Sequence, residues 1–368
     1  MEPLLRLAVL SIAAMLTLGC AKDSTPVWFG TAGPWDQGYG QMNKRGIDLA
    51  LEEINARGGI NGRRLQLVSR NDEGDGAKAT AIASEFLAND QIAAVVGHVT
   101  SGAMVAAARV YDQGLPAVAT TVSTPDLSGM SPYVFRVISS DSANGIDLAR
   151  FARRRGFKRV SVLYENNAYG RGLTEAFSRA FGGEMLSSDP IPTEGTGDFE
   201  PYIAFLQTRQ PDLIFVAGTE GSGKAVLREA RKRGLHAAFI GGDGWTGVVA
   251  DSAAAEGAFV GAPFTALDER PEAQRFVRAF RERYHVDPDG NAALGYDATM
   301  LLARAVEHAG SSRKAIRQWL AALDEDTAFP GVTGPIRFLP SGDVAGKGIV
   351  VTQIRAGVLV PASTDGRS

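Results

Sequence analysis

Short, wholly apolar runs alternate with helix-length amphipathic segments along most of this chain, and that rhythm leaves few folds open. Ile92–Gly97 (IAAVVG) and Leu213–Ala217 (LIFVA) contain no charged side chain, so such strands must be buried on both faces. Helical patterns stand between them. Residues 41–55 place Ile47, Ala50, Leu51 and Ile54 on one face and Asp48, Glu52 and Glu53 off it, and Gly58-Gly59 supplies a left-handed stop. Each crossover helix has to pack back onto the sheet, which predicts an α/β fold built from doubly wound parallel sheets.

A first series of strands is expected at residues 65–69, 92–97 and 117–120, with a helix near residues 101–113. The series restarts after Asp141, with strands at 160–164, 213–217 and 239–240 and helices at 172–181 and 224–233. Helical patterns then dominate residues 271–284, 291–309 and 312–323, before strand-like segments at 336–338 and 348–354. Such an order means that the chain returns to finish its first lobe and crosses again. The expected division is 27–140 with 265–330 for lobe one and 141–264 with 331–362 for lobe two, joined by a multi-strand hinge. A chain of 368 residues also exceeds the size at which one hydrophobic core stops growing.

Arg6 precedes an apolar run over residues 7–18, of signal-peptide rather than membrane-spanning length, and Cys20 follows Gly19. Leu16-Thr17-Leu18-Gly19-Cys20 resembles a bacterial lipobox, whose thiol is acylated. Residues 1–19 are therefore read as a lipoprotein signal peptide, Cys20 as the lipidation site and 20–26 as a tether, with simple cleavage or an uncleaved anchor as the alternatives. Cys20 is the sole cysteine, so no internal disulfide is available. Loss of Glu2 and Arg6 with the signal would leave the net charge of −3 unchanged, and no basic excess courts nucleic acid. With 45% hydrophobic and 21% charged residues, apolar cores can carry the stability.

Enzymatic constellations are weak. Gly218 to Lys224 matches a glycine-rich phosphate loop between a strand and a helix, but Ala225 stands where the magnesium-binding hydroxyl is needed. These glycines are read instead as a tight turn whose free amides can face a ligand. His98, His236, His285 and His308 are scattered and read as surface or turn residues, and Asp72-Glu73 as carboxylates that solvate a turn. Catalytic residues, metal and cofactor are all expected to be absent.

The run Glu52-Glu53-Ile54-Asn55-Ala56-Arg57-Gly58-Gly59-Ile60-Asn61-Gly62 resembles the periplasmic binding proteins for branched-chain amino acids, the type I receptors that feed ABC importers. Further matches follow in order at Gly97-His98, Thr100-Ser101-Gly102, Tyr133-Val134-Phe135-Arg136, Asn167-Ala168-Tyr169-Gly170, Gly197-Asp198-Phe199, Gly241-Gly242-Asp243-Gly244-Trp245 and Gly295-Tyr296-Asp297-Ala298. The resemblance implies a pocket between two lobes. In it, the hydroxyls of Ser101 and Ser123 hold the ligand carboxylate, the Val122 carbonyl and Asp243 take the ammonium, and Tyr39 and Tyr169 close over the ligand. Neutral donors suit a carboxylate, because they avoid the desolvation cost of a buried cation. Glu220 stands where the family tends to place apolar surface: pointing inward it favours a polar or cationic amino acid, pointing outward an aliphatic one. Trp245 offers an apolar wall. The partners implied are an amino acid and the permease subunits of an ABC transporter, with membrane contact only through the lipid and the protein a monomer. A sensory receptor of the same fold is the alternative.

Overall fold

The computed structural model describes residues 25–363, so the signal segment, Cys20 and most of the tether lie outside the described residues. The first sheet contains β1 (Val27–Gly33), β2 (Leu65–Asn71), β3 (Ile92–Gly97), β4 (Ala117–Ala119) and β5 (Val134–Arg136), all parallel, in the order β2-β1-β3-β4-β5. Helices α1 (Gly38–Ala56), α2 (Gly76–Ala88) and α3 (Ser101–Tyr111) are its crossovers.

The second lobe repeats the winding. It opens with α4 (Asp141–Arg154), and β6 (Arg159–Glu165), β7 (Glu184–Ile191), β8 (Leu213–Ala217), β9 (Ala238–Gly241) and β10 (Phe259–Ala262) stack in the order β7-β6-β8-β9-β10. Its crossovers are α5 (Ala168–Phe181), α6 (Glu200–Arg209), α7 (Glu220–Lys232) and the short α8 (Ser252–Ala255). Phe177 and Phe181, one turn apart on α5, stack at 5.5 Å, and Phe177 lies 4.2 Å from Phe215 of β8, so the helix buries its aromatic edge on the sheet.

Helices α9 (Pro271–Tyr284), α10 (Gly290–Ala309) and α11 (Arg313–Ala321) return to lobe one. Leu294, Ala298, Leu301 and Leu302 of α10 share a core with Ile47 and Ile54 of α1. The two helices approach so closely that a Cβ on Gly46 would lie 1.9 Å from the Ala292 carbonyl oxygen, which is why only glycine serves there. A hairpin, β11 (Phe329–Gly331) with β12 (Gly334–Ile336), follows; β13 (Val350–Arg355) then adds antiparallel to β10, and β14 (Val358–Pro361) antiparallel to β13.

Two details differ from the sequence expectation. Ile336, Phe338 and Val344 belong to the core of lobe one, whereas Ile349 packs in lobe two, so the third crossing falls after residue 344 rather than at 331. The second sheet is mixed, not wholly parallel, because its last two strands arrive by the hinge and a hairpin. β7 lacked an apolar signature for a physical reason: it pairs only with β6 and edges the sheet, so Ser187, Ser188 and Asp189 are tolerated.

Candidate functional site

In an open α/β sheet, ligands bind beyond the carboxyl ends of the strands where the winding reverses. The reversal lies between β1 and β3 in lobe one and between β6 and β8 in lobe two, and the loops leaving all four strands border one interlobe cavity of about 310 Å³. Lobe one supplies Gln37 and Tyr39 after β1, Thr100, Ser101 and Gly102 after β3, and Thr121 after β4; lobe two supplies Asn167 and Tyr169, Thr193 and Glu194, Thr219, and Asp243 with Gly244.

Inside Glu73, an exposed acid at the rim, the lobe-one wall is a set of neutral donors. Ser101 begins α3 and is 5% exposed. Thr100 caps the helix by its backbone position alone, leaving its buried hydroxyl without a partner. A Cβ on Gly102 would meet nothing within 4 Å, so the unpaired amides of the first turn are not screened by a side chain there. Thr121 donates to the Val99 carbonyl at 2.6 Å, which fixes the loop after β4. A helix start with free amides and hydroxyls is suited to an anion.

The lobe-two wall is acidic. The Tyr169 hydroxyl donates to Asp243 Oδ1 at 3.2 Å and accepts from the Gly244 amide at 3.1 Å. Burial pushes the Asp243 carboxyl up to about 6, against which its own amide and Tyr169 act. Behind it, fully buried Asp141 has neither oxygen hydrogen-bonded. Burial first, then repulsion by Asp243, hold Asp141 well above the usual carboxylate range, and the Ser123 hydroxyl and Arg136 offset only part of this. The Ser123 hydroxyl stands near enough to favour the carboxylate but is not aligned as a hydrogen bond. Two carboxyls in so dry a place attract a cation.

A second acidic group sits further along the wall. Glu165, fully buried at the end of β6, accepts from the Thr219 amide at 3.1 Å, the Thr219 hydroxyl at 2.7 Å, the Glu194 amide at 3.2 Å and Asn167 Nδ2 at 2.9 Å. One carboxylate thereby positions three lining residues. Across the cleft, the Tyr39 hydroxyl donates to Glu194 Oε1 at 3.1 Å. Burial and then Glu194 push the tyrosine far above its ordinary value, so it remains a donor. Burial, then Glu165, raise Glu194 as well.

This two-lobed architecture and its interlobe cavity agree with the comparisons. A family model described as periplasmic binding protein matches residues 30–358. The chain belongs to that family. Its branch is the type I periplasmic binding proteins for branched-chain amino acids, receptors rather than enzymes. The Leu, Ile, Val, Thr and Ala-binding protein of Pseudomonas aeruginosa is 28% identical over 350 residues, covering 92% of this chain and 91% of that one. An ABC transporter substrate-binding protein from Desulfitobacterium hafniense, solved with leucine, is 32% identical with a TM-score of 0.80, covering 92% of this chain and all of that one. The branched-chain amino acid transporter substrate-binding protein of Streptococcus pneumoniae, solved with isoleucine, superposes with a TM-score of 0.84 at 25% identity, over 92% and 100% of the two chains. Membership of this family also makes the protein extracytoplasmic.

Of the residues this periplasmic binding protein was expected to use, Tyr39, Ser101, Tyr169 and Asp243 line the cavity together. Val122 and Ser123 do not: both are fully buried behind it. Thr121 lines the loop after β4 in their place. Glu220 is not among the lining residues; it ion-pairs with Lys224, one turn on, and its carboxylate lies 3.1 Å from where a Cβ on Gly38 would be. Trp245 forms no pocket wall, because it is fully buried in the core of lobe two.

Other expectations need correction too. His98 is no surface residue: it is buried between Asp72, 2.6 Å from Nδ1, and the Tyr111 hydroxyl, 2.9 Å from Nε2. Asp72 accordingly braces the loop after β3, and only Glu73 faces solvent, paired with Lys78 at 2.5 Å. The glycine-rich run, by contrast, is the tight turn expected, with only Gly218 and Thr219 between β8 and α7, and it packs closely as well: a Cβ on Gly221 would lie 2.5 Å from the Glu194 carbonyl oxygen. Sequence reasoning missed Thr121, Asp141, Glu165 and Glu194. A glutamate closing the otherwise apolar run of β6 is the signal that could have found Glu165.

Proposed function

We propose that this protein captures an amino acid between its lobes and delivers it to an ABC importer. The carboxylate is held by Ser101 and the start of α3, beside Thr121, and the ammonium by Asp243, with Tyr169 orienting the acid. The observation that carries this reading is the polarity of the cavity, with donors from one lobe facing acids from the other. Closure around the ligand follows because neither lobe alone satisfies both ends. The relatives described as amino-acid-binding, and as ABC transporter substrate-binding proteins, support the same role. In this reading Cys20 is acylated, the lipid is the only membrane attachment, the receptor is a monomer, and the closed form is what the permease subunits recognise.

The test is a thermal-shift screen against the amino acids, small amides and simple carboxylates, followed by calorimetry on the hits. A ligand selective for the folded state raises the melting temperature. Stabilisation by an α-amino acid, with no response to its des-amino analogue, is expected. Stabilisation by simple carboxylates alone would refute the reading.

A further inference from the structure

The cavity has more acid than a zwitterion can use. Its lining includes the carboxylates Glu73, Glu194 and Asp243 and, among the described residues, no lysine, arginine or histidine. Glu73 is exposed and already paired with Lys78, so it sits at the rim. In the proposed binding mode the ligand ammonium is matched to Asp243 and the carboxylate to the lobe-one donors, and those two ends cancel. Glu194 is then left over.

Glu194 is not a stray surface acid. Its amide is tied to buried Glu165, and its backbone packs against Gly221 at the start of α7. Its carboxylate accepts from Tyr39 of the opposite lobe. The groups facing it are Tyr39, Thr219 and the acids Glu165 and Glu220, the last neutralised by Lys224. Tyr39 and Thr219 can donate hydrogen bonds but bring no positive charge. When the cleft excludes water, two neighbouring carboxylates without a cation carry a desolvation and repulsion cost that a cationic group would remove. An aliphatic side chain would leave that cost in place.

We propose that the side chain of the ligand ends in a cationic nitrogen, held by Glu194 opposite Tyr39, so that the substrate class is the basic amino acids rather than the aliphatic ones. This rests on the amino-acid reading above and adds a specificity-determining residue to it. The pattern is two acidic stations on lobe two, Asp243 for the α-ammonium and Glu194 for the side chain, facing one anion station on lobe one.

Calorimetry with L-lysine, L-ornithine, L-arginine, L-glutamine and L-leucine on the wild-type protein tests it without any variant. The expected order places a basic amino acid at least about tenfold tighter than leucine and glutamine, the effect of a charge-assisted hydrogen bond. In Glu194→Gln that preference over leucine collapses, and Tyr39→Phe reduces it less. Leucine or glutamine binding wild type as tightly as every basic amino acid would overturn the inference while leaving the amino-acid reading standing. So would a Glu194→Gln variant, folded by circular dichroism, that keeps the full preference. Binding of simple carboxylates but of no amino acid would overturn both.

Discussion

The two walls of the cleft are built from the same winding and do opposite chemistry. The first five strands of each lobe run in the order 2-1-3-4-5 and place their reversal at the cavity. Lobe one fills that position with Thr100, Ser101, Gly102 and Thr121, whereas lobe two fills it with Glu165, Glu194 and Asp243. On lobe two three lining donors are engaged internally: Tyr169 by Asp243, and Thr219 and Asn167 by Glu165. On lobe one the Thr100 hydroxyl has no partner at all. One topology thus yields a donor face and an acceptor face, and what distinguishes them is a handful of side chains just past the strand ends. Under the proposed function, a dipolar ligand satisfies both faces at once, and closure accompanies binding.

The comparison can be broken most severely from the acidic side. Asp243→Ala is expected to weaken binding of the cognate amino acid by about 100-fold, the loss of a charge-assisted bond in a dry site; calorimetry showing unchanged affinity would remove Asp243 from the acceptor face. Ser101→Ala tests the donor face and should cost about tenfold, roughly one neutral-to-ion hydrogen bond. Its melting temperature should hold, because Thr100 rather than Ser101 occupies the cap position of α3. Glu165→Gln should cost a similar factor in affinity and also lower the melting temperature, since an amide cannot accept every bond that the carboxylate accepts from Asn167, Glu194 and Thr219. Tyr169→Phe removes one bond to Asp243 and should cost only a few-fold, within the range of about 1 kcal/mol.

Acidity sharpens the contrast further. The Asp243 carboxyl stands at about 6 in the ligand-free fold against an ordinary 3.8, so the folded chain holds a proton that the unfolded chain releases. The stability this contributes is present at low pH and lost as the pH rises through about 6. Melting temperatures of the ligand-free protein should therefore fall as the pH rises from about 4 to about 6, and Asp243→Asn should reduce that fall. Affinity for an ammonium needs the ionised carboxyl, so it should weaken on acidification below about pH 6 in wild type.

Much of this was legible before any coordinates. The ranges Ile92–Gly97, Leu213–Ala217 and Pro271–Tyr284 are the observed ones, because a strand covered on both faces or a helix with a full apolar stripe writes its burial into every residue. β7 was not legible, since an edge strand is free to be polar. In the site, Ser101, Tyr169 and Asp243 stand inside recognisable runs next to strand ends. Glu194 does not: it reaches the cavity only because two glycines let its turn rest on α7, a contact between residues 26 positions apart. His98 and Asp72 were misread for a related reason, as their mutual bond exists only after β2 and β3 fold against the same strand β1. Long-range polar pairing of this kind leaves no local periodicity.

The most direct test of the two-faced cleft is a crystal structure of the complex with whichever amino acid gives the largest thermal shift. The ligand ammonium should lie within hydrogen-bond distance of Asp243, with its carboxylate on Ser101 and the first turn of α3. A ligand seated the other way round, or one that touches a single lobe, would contradict the account.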